Sequence, residues 1–87
     1  MSVLDDMGDQ LAREVIAAME ELGDDRFFDK VSKVLLDASP TMQEAFLTAY
    51  RVRVAEKRGR AFMEAALKAK REGRDGPKVH MDSGGGH

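Results

Sequence analysis

The chain has 87 residues, enough for one small domain but too few for a catalytic cleft walled by two subdomains. Its composition, 43% hydrophobic and 34% charged, is that of a globular protein, and the absence of cysteine excludes disulfide scaffolds and thiolate-based zinc or iron–sulfur sites. The formal net charge of −2 combines an acidic first half, net −7 over residues 1–45, with a basic second half, net +5 over residues 46–87.

The first predicted helix covers about residues 3–22. Ser2 is a suitable N-cap, and Gly23 is a natural C-terminal stop. Gly8 is a mild weakness in this helix because glycine is a poor helix former. Apolar residues recur in steps of three and four, which predicts one buried face. These residues are Leu4, Met7, Leu11, Val15, Ala18, Met19 and Leu22. We expect Met7 and Met19 to fill the core.

The second predicted helix covers about residues 25–38, with Asp24 or Asp25 as its N-cap. Its apolar residues are dense for so short an element: Phe27, Phe28, Val31, Val34, Leu35 and Leu36. Because it also holds two of the four phenylalanines, we expect it to be the best-buried segment of the chain.

The third predicted helix covers about residues 40–72. Ser39 is a good N-cap, and Pro40 is pre-set for the first helical position. From there only Gly59 interrupts helix-favouring residues until Gly73, which supplies the end. Residues 1–73 are therefore expected to form a helical domain.

The apolar stripe of the third helix changes sides near Gly59. The first stripe consists of Phe46, Leu47, Tyr50, Val54, Ala61 and Ala65, and the second of Phe62, Met63, Ala66 and Leu67. Either the helix breaks near Gly59, giving four helices around one core, or a straight helix exposes its second stripe to a partner. The second stripe is the candidate interface, and Met63 is its strongest member.

These elements predict an all-α fold, a small three-helix bundle that becomes four-helix if the third helix breaks. Residues 74–87 have few apolar side chains and four glycines, so they are expected to form a flexible tail. No apolar run approaches the roughly 18 residues of a membrane span, and the N-terminal stretch is acidic where a secretory signal would be basic. We therefore expect a cytoplasmic location.

Few residues offer chemistry. The two histidines, His80 and His87, lie in the predicted tail without further ligands, so we expect no metal. The serines and threonines have no positioned histidine to activate them. No glycine-rich loop precedes a helix in the manner of a phosphate-binding site. We therefore expect neither catalytic residues nor a cofactor, and the protein is predicted not to be an enzyme.

A basic stretch at residues 51–60 is the most distinctive chemical feature. Its cations are Arg51, Arg53, Lys57, Arg58 and Arg60. They could contact nucleic-acid phosphates, or they could pair with acidic groups within the fold or on a protein partner. The pI near 5.6 and the acidic first half favour pairing with acidic groups.

The sequence thus predicts a non-catalytic protein–protein interaction module, such as an accessory or regulatory subunit, or a homodimer that docks through a helix face. The alternative is a nucleic-acid-binding regulator that uses residues 51–60.

Overall fold

The computed structural model describes residues 2–79, and the regular structure in this range is entirely helical. Helix α1 spans Val3–Leu22, α2 spans Phe27–Ala38 and α3 spans Pro40–Arg71. The predicted all-α, three-helix fold class is confirmed. The residues from 74 to 79 have no regular secondary structure. The flexibility predicted for the rest of the tail falls on residues 80–87, which lie outside the described residues.

Helix α3 is continuous through Gly59, so the four-helix alternative is wrong. The helical backbone at Gly59 does not require a positive φ angle, and no neighbouring atom lies within 4 Å of the position that a Cβ would take. A single exposed glycine in a helix interior lowers helix stability by only about 1 kcal/mol relative to alanine, and the helix-favouring residues around Gly59 offset this loss.

The predicted caps of α1 and α3 are confirmed. The Ser2 hydroxyl accepts a hydrogen bond from the backbone N–H of Asp5 at 3.0 Å, and the Ser39 hydroxyl accepts one from Met42 at 3.2 Å. Gly23 and Gly73 follow α1 and α3 with φ angles of 64° and 71°. Glycine is the residue that adopts this left-handed conformation without steric cost, so it ends both helices.

The predicted cap of α2 is wrong. The Asp24 carboxylate accepts a hydrogen bond from the backbone N–H of Arg26 at 3.0 Å and one from Lys30 Nζ at 2.9 Å. It thereby organises the turn ahead of the helix, and α2 begins only at Phe27, with Arg26 at the N-cap position and no side-chain cap. The hydrogen bond from Lys30 lowers the pKa of Asp24.

The chain packs as two compact units, Met1–Glu56 and Lys57–His87. The first unit contains α1, α2 and the part of α3 up to Glu56. Its core consists of Ala12, Val15 and Phe46, and the partly buried residues around it are Leu11, Met19, Phe27, Phe28, Val31, Leu35, Leu47, Ala49 and Tyr50. Phe46 is the only large side chain among the described residues that is completely buried.

Tyr50 of α3 joins α1 and α2 to this core. Its ring stacks on Phe28, with centroids 4.5 Å apart, and lies 6.1 Å from the ring of Phe46. The Tyr50 hydroxyl lies 3.9 Å from Met19 Sδ. Burial raises the pKa of Tyr50. The phenol therefore stays neutral in this apolar setting, and Met19 takes the core position predicted for it.

Two expectations about the core are wrong. Helix α2 is not the best-buried segment, because Val34 is 69% exposed and Leu36 is also exposed, and only Ser32 is fully buried. Three consecutive apolar residues cannot share one helical face, and only Leu35 points to the core. Met7 is 54% exposed, because it lines an open groove beside α3 rather than the core.

Gly8 sets the distance between α1 and α3. It is buried, and a Cβ at this position would lie 2.8 Å from the backbone carbonyl carbon of Ala45 and 2.9 Å from its oxygen. Real Cβ atoms essentially never approach so closely. The residue that weakens the helix locally is therefore the one that lets the two helices touch.

The second unit contains the C-terminal part of α3 and the segment that follows it. Gly73 redirects the chain, and the N–H of Arg74 donates to the Ala69 carbonyl at 2.8 Å. Gly76 then lies against Ala66, where an added Cβ would be 3.6 Å from the Ala66 Cα. The segment after the helix thus returns along it, and Ala69 is buried.

Candidate interaction surfaces

The second apolar stripe of α3 lies at the surface of the second unit. Phe62, Met63 and Leu67 are 42%, 47% and 45% exposed, and Ala66 is half-buried. We call these four residues the apolar patch. They are adjacent on the helix because residues three and four apart share a face. Contiguous exposed apolar groups are typical of binding surfaces, whereas scattered ones are ordinary.

The basic stretch does not form one uniform surface. Arg53 is bound to α1 through a two-pronged ion pair, with Nε 2.5 Å from Asp9 Oδ1 and Nη2 2.7 Å from Asp9 Oδ2. Arg51 and Arg58 are exposed, and Lys57 and Arg60 are exposed but engaged in interactions of their own. One of the five predicted cations thus pairs with the acidic half of the chain inside the fold.

The ion pair between Asp9 and Arg53 shifts the pKa values of both side chains. The hydrogen bond from Arg53 lowers the pKa of Asp9, with further help from the charges of Arg53 and Arg13, and the same hydrogen bond raises the pKa of Arg53. Arg13 lies one turn along α1, with its Nε 3.9 Å from the carboxylate. Asp9 is therefore ionised throughout the neutral range and holds α1 to α3.

We expect this pair to make the stability of the first unit depend on acid pH. The folded-state pKa of Asp9 lies below its ordinary value of 3.8, so the contribution is complete above that value and is lost as pH falls through the folded-state value. Thermal unfolding between about pH 6 and pH 2 should show a shallower loss for Asp9→Asn than for the unchanged chain. The matched control Asp6→Asn leaves the pair intact, and an equally shallow loss there would contradict the assignment.

A groove that was not predicted from the sequence lies between α1 and α3 of the first unit. It encloses about 520 Å³, and its lining residues are Leu4, Asp5, Asp9, Thr41, Glu44, Ala45, Thr48, Ala49 and Val52. We call it the acidic groove, because three of the lining residues are carboxylates and none is Lys or Arg. Its apolar lining residues include Leu4, Ala45 and Val52, of which Val52 is exposed. The sequence alone does not predict the groove, since it exists only where two helices meet.

Other kinds of site find no support within residues 2–79. No three side chains of the metal-binding types are grouped so that they could hold an ion, and none of the helices described is both long and apolar enough to cross a membrane. His80 and His87 lie outside the described residues. The apolar patch and the acidic groove are the candidate interaction surfaces of the described residues. No protein-family model, curated protein or solved structure matches this chain.

Proposed function

We propose that this protein is a non-catalytic helical interaction module that binds a protein partner through the apolar patch. The observation that carries the proposal is the exposure of Phe62, Met63 and Leu67 together on one stretch of helix. Aromatic and methionine side chains are enriched in the cores of protein interfaces, where their burial supplies much of the binding energy. The thioether of Met63 also adapts to the shape of a partner.

The hydroxyl groups support a non-catalytic role. Ser2 and Ser39 cap helices, and Ser32 is buried, where its hydroxyl oxygen accepts a hydrogen bond from Gln43 Nε2 at 3.1 Å. Nucleophilic catalysis needs a hydroxyl beside a positioned base. These three serines are instead engaged in holding the helices.

Nucleic-acid binding is the weaker candidate. Arg53, one of the five cations of the basic stretch, is already neutralised by Asp9. Each phosphate contact requires a cation that can displace counterions, so a paired arginine contributes little. We expect binding to duplex or single-stranded nucleic acid at low salt to be weak and not to depend on Arg51 and Arg58. Binding that weakens steeply with salt and is lost in Arg51→Ala/Arg58→Ala would favour this candidate instead.

A site-specific photo-crosslinker tests the proposal directly. The photoreactive amino acid is placed at Met63 and, as the matched control, at Val34, which is an exposed apolar residue on α2. In native cells we expect protein adducts from position 63 and few from position 34. Equal adducts from both positions, or none from position 63, would contradict a role for the apolar patch.

A further inference from the structure

The apolar patch lies in a strongly basic setting. Residues 57–79 carry eight Lys and Arg against three Asp and Glu, a net charge of +5. A surface that covers the patch must therefore offer apolar contact inside a rim of negative charge, because like charges brought together at an interface are destabilising. A neutral apolar surface would lack the charge, and a second patch would carry the wrong sign.

The acidic groove of the first unit has both properties. Leu4, Ala45 and Val52 supply apolar lining, while Asp5 and Glu44 are exposed carboxylates beside it. Asp9 also lines the groove, although Arg53 partly neutralises it. The first unit as a whole, residues 1–56, carries twelve Asp and Glu against six Lys and Arg, a net charge of −6.

We propose that the apolar patch of one copy docks in the acidic groove of a second copy. This inference rests on the proposed function and names its partner. When the contact is made reciprocally by two copies, the result is a two-fold dimer in which neither patch is left uncovered. Pairing of two patches would instead set a charge of +5 against another +5, which disfavours a dimer built on α3 alone.

Engineered cysteines test the contact, because the chain has no cysteine of its own. A tagged copy with Met63→Cys is mixed with an untagged copy carrying Thr48→Cys, at the exposed edge of the groove. Under mild oxidation we expect mixed disulfide dimers to form faster than in the control mixture of Met63→Cys with Val34→Cys. A rate no greater than that of the control, or a preference of Met63→Cys copies for one another, would overturn the proposal.

The mass of the protein in solution, and its dependence on salt and on charge substitutions, provides an independent test of the dimer. Sedimentation equilibrium should give twice the 9.6 kDa of one chain at low salt, with dissociation increasing as salt is added. Glu44→Lys should raise the dissociation constant about tenfold, whereas Asp37→Lys, an exposed acid on α2 outside the groove, should change it little. A chain that is monomeric at low salt, or equal effects of the two variants, would overturn the proposal.

The two hypotheses fail differently. If position 63 crosslinks to another protein while the purified chain sediments as a monomer, the homodimer is wrong and the interaction module stands. If position 63 gives no protein adducts of any kind, both are wrong. If a monomeric chain bound nucleic acid in a salt-sensitive manner, the nucleic-acid-binding alternative would be favoured over both hypotheses.

Discussion

Phe46→Ala should lower the free energy of unfolding of the first unit by about 3–5 kcal/mol, the usual cost of removing a fully buried phenylalanine. Phe46 is completely buried, and its neighbours in the core, Ala12 and Val15, are small. These two side chains are too small to fill the resulting cavity. A unit of this size has a total stability of only about 3–8 kcal/mol, so the variant should lose a large part of its stability.

Phe62→Ala is the matched control, because it makes the same chemical change on the same helix at a position that is 42% exposed. We expect it to cost only about 1–2 kcal/mol, because the side chain is partly covered and its removal leaves no enclosed cavity. Urea denaturation followed by circular dichroism measures both variants. Similar losses for the two would mean that the core is not centred on Phe46.

The helix ends were predictable because their causes are local. Ser2 and Ser39 act on backbone groups three residues away, and Gly23 and Gly73 act at a single φ angle. Such signals are contained in the nearby sequence. The cap predicted at Asp24 was wrong because an aspartate can either cap a helix or organise a turn, and the local sequence does not distinguish the two. Here Asp24 organises the turn, through hydrogen bonds from Arg26 and Lys30.

Burial was predicted less well because it depends on what each helix meets. The density of apolar residues in α2 suggested a buried helix, yet no other helix covers Val34. Met7 shares a sequence stripe with Val15, but the groove beside α3 leaves it open. The hydrophobic periodicity of a helix identifies its apolar face, but it does not show how much of that face the neighbouring helices cover.

The two surfaces differ in how far the sequence could identify them. The apolar patch was predicted from the shift of the stripe near Gly59, which leaves Met63 exposed once α3 is continuous. The acidic groove was missed because its walls are separated by more than thirty residues of sequence, as in the case of Asp9 and Glu44. The one sequence signal was Gly8, a poor helix former placed inside an otherwise regular helix.

Gly8→Ala should destabilise the first unit by about 1–2 kcal/mol, although alanine is the better helix former by about 1 kcal/mol. The new Cβ would lie 2.8 Å from the carbonyl carbon of Ala45, and a backbone atom cannot turn aside as a flexible side chain can. Helices α1 and α3 would therefore have to separate, which would loosen the packing around Ala12 and widen the acidic groove. Ala45→Gly should not rescue the variant, because the two closest contacts are with backbone atoms.

Gly59→Ala is the same chemical change as Gly8→Ala, but we expect it to raise the free energy of unfolding rather than lower it. No atom lies within 4 Å of the position of the added Cβ, and the backbone is already helical, so only the gain in helix propensity remains. We expect it to stabilise the helix by about 0.5–1 kcal/mol. Thermal and urea unfolding of the two variants should therefore move in opposite directions. If Gly8→Ala were also stabilising, the close contact between α1 and Ala45 would be wrong, and with it the geometry of the groove that we assign to a second copy.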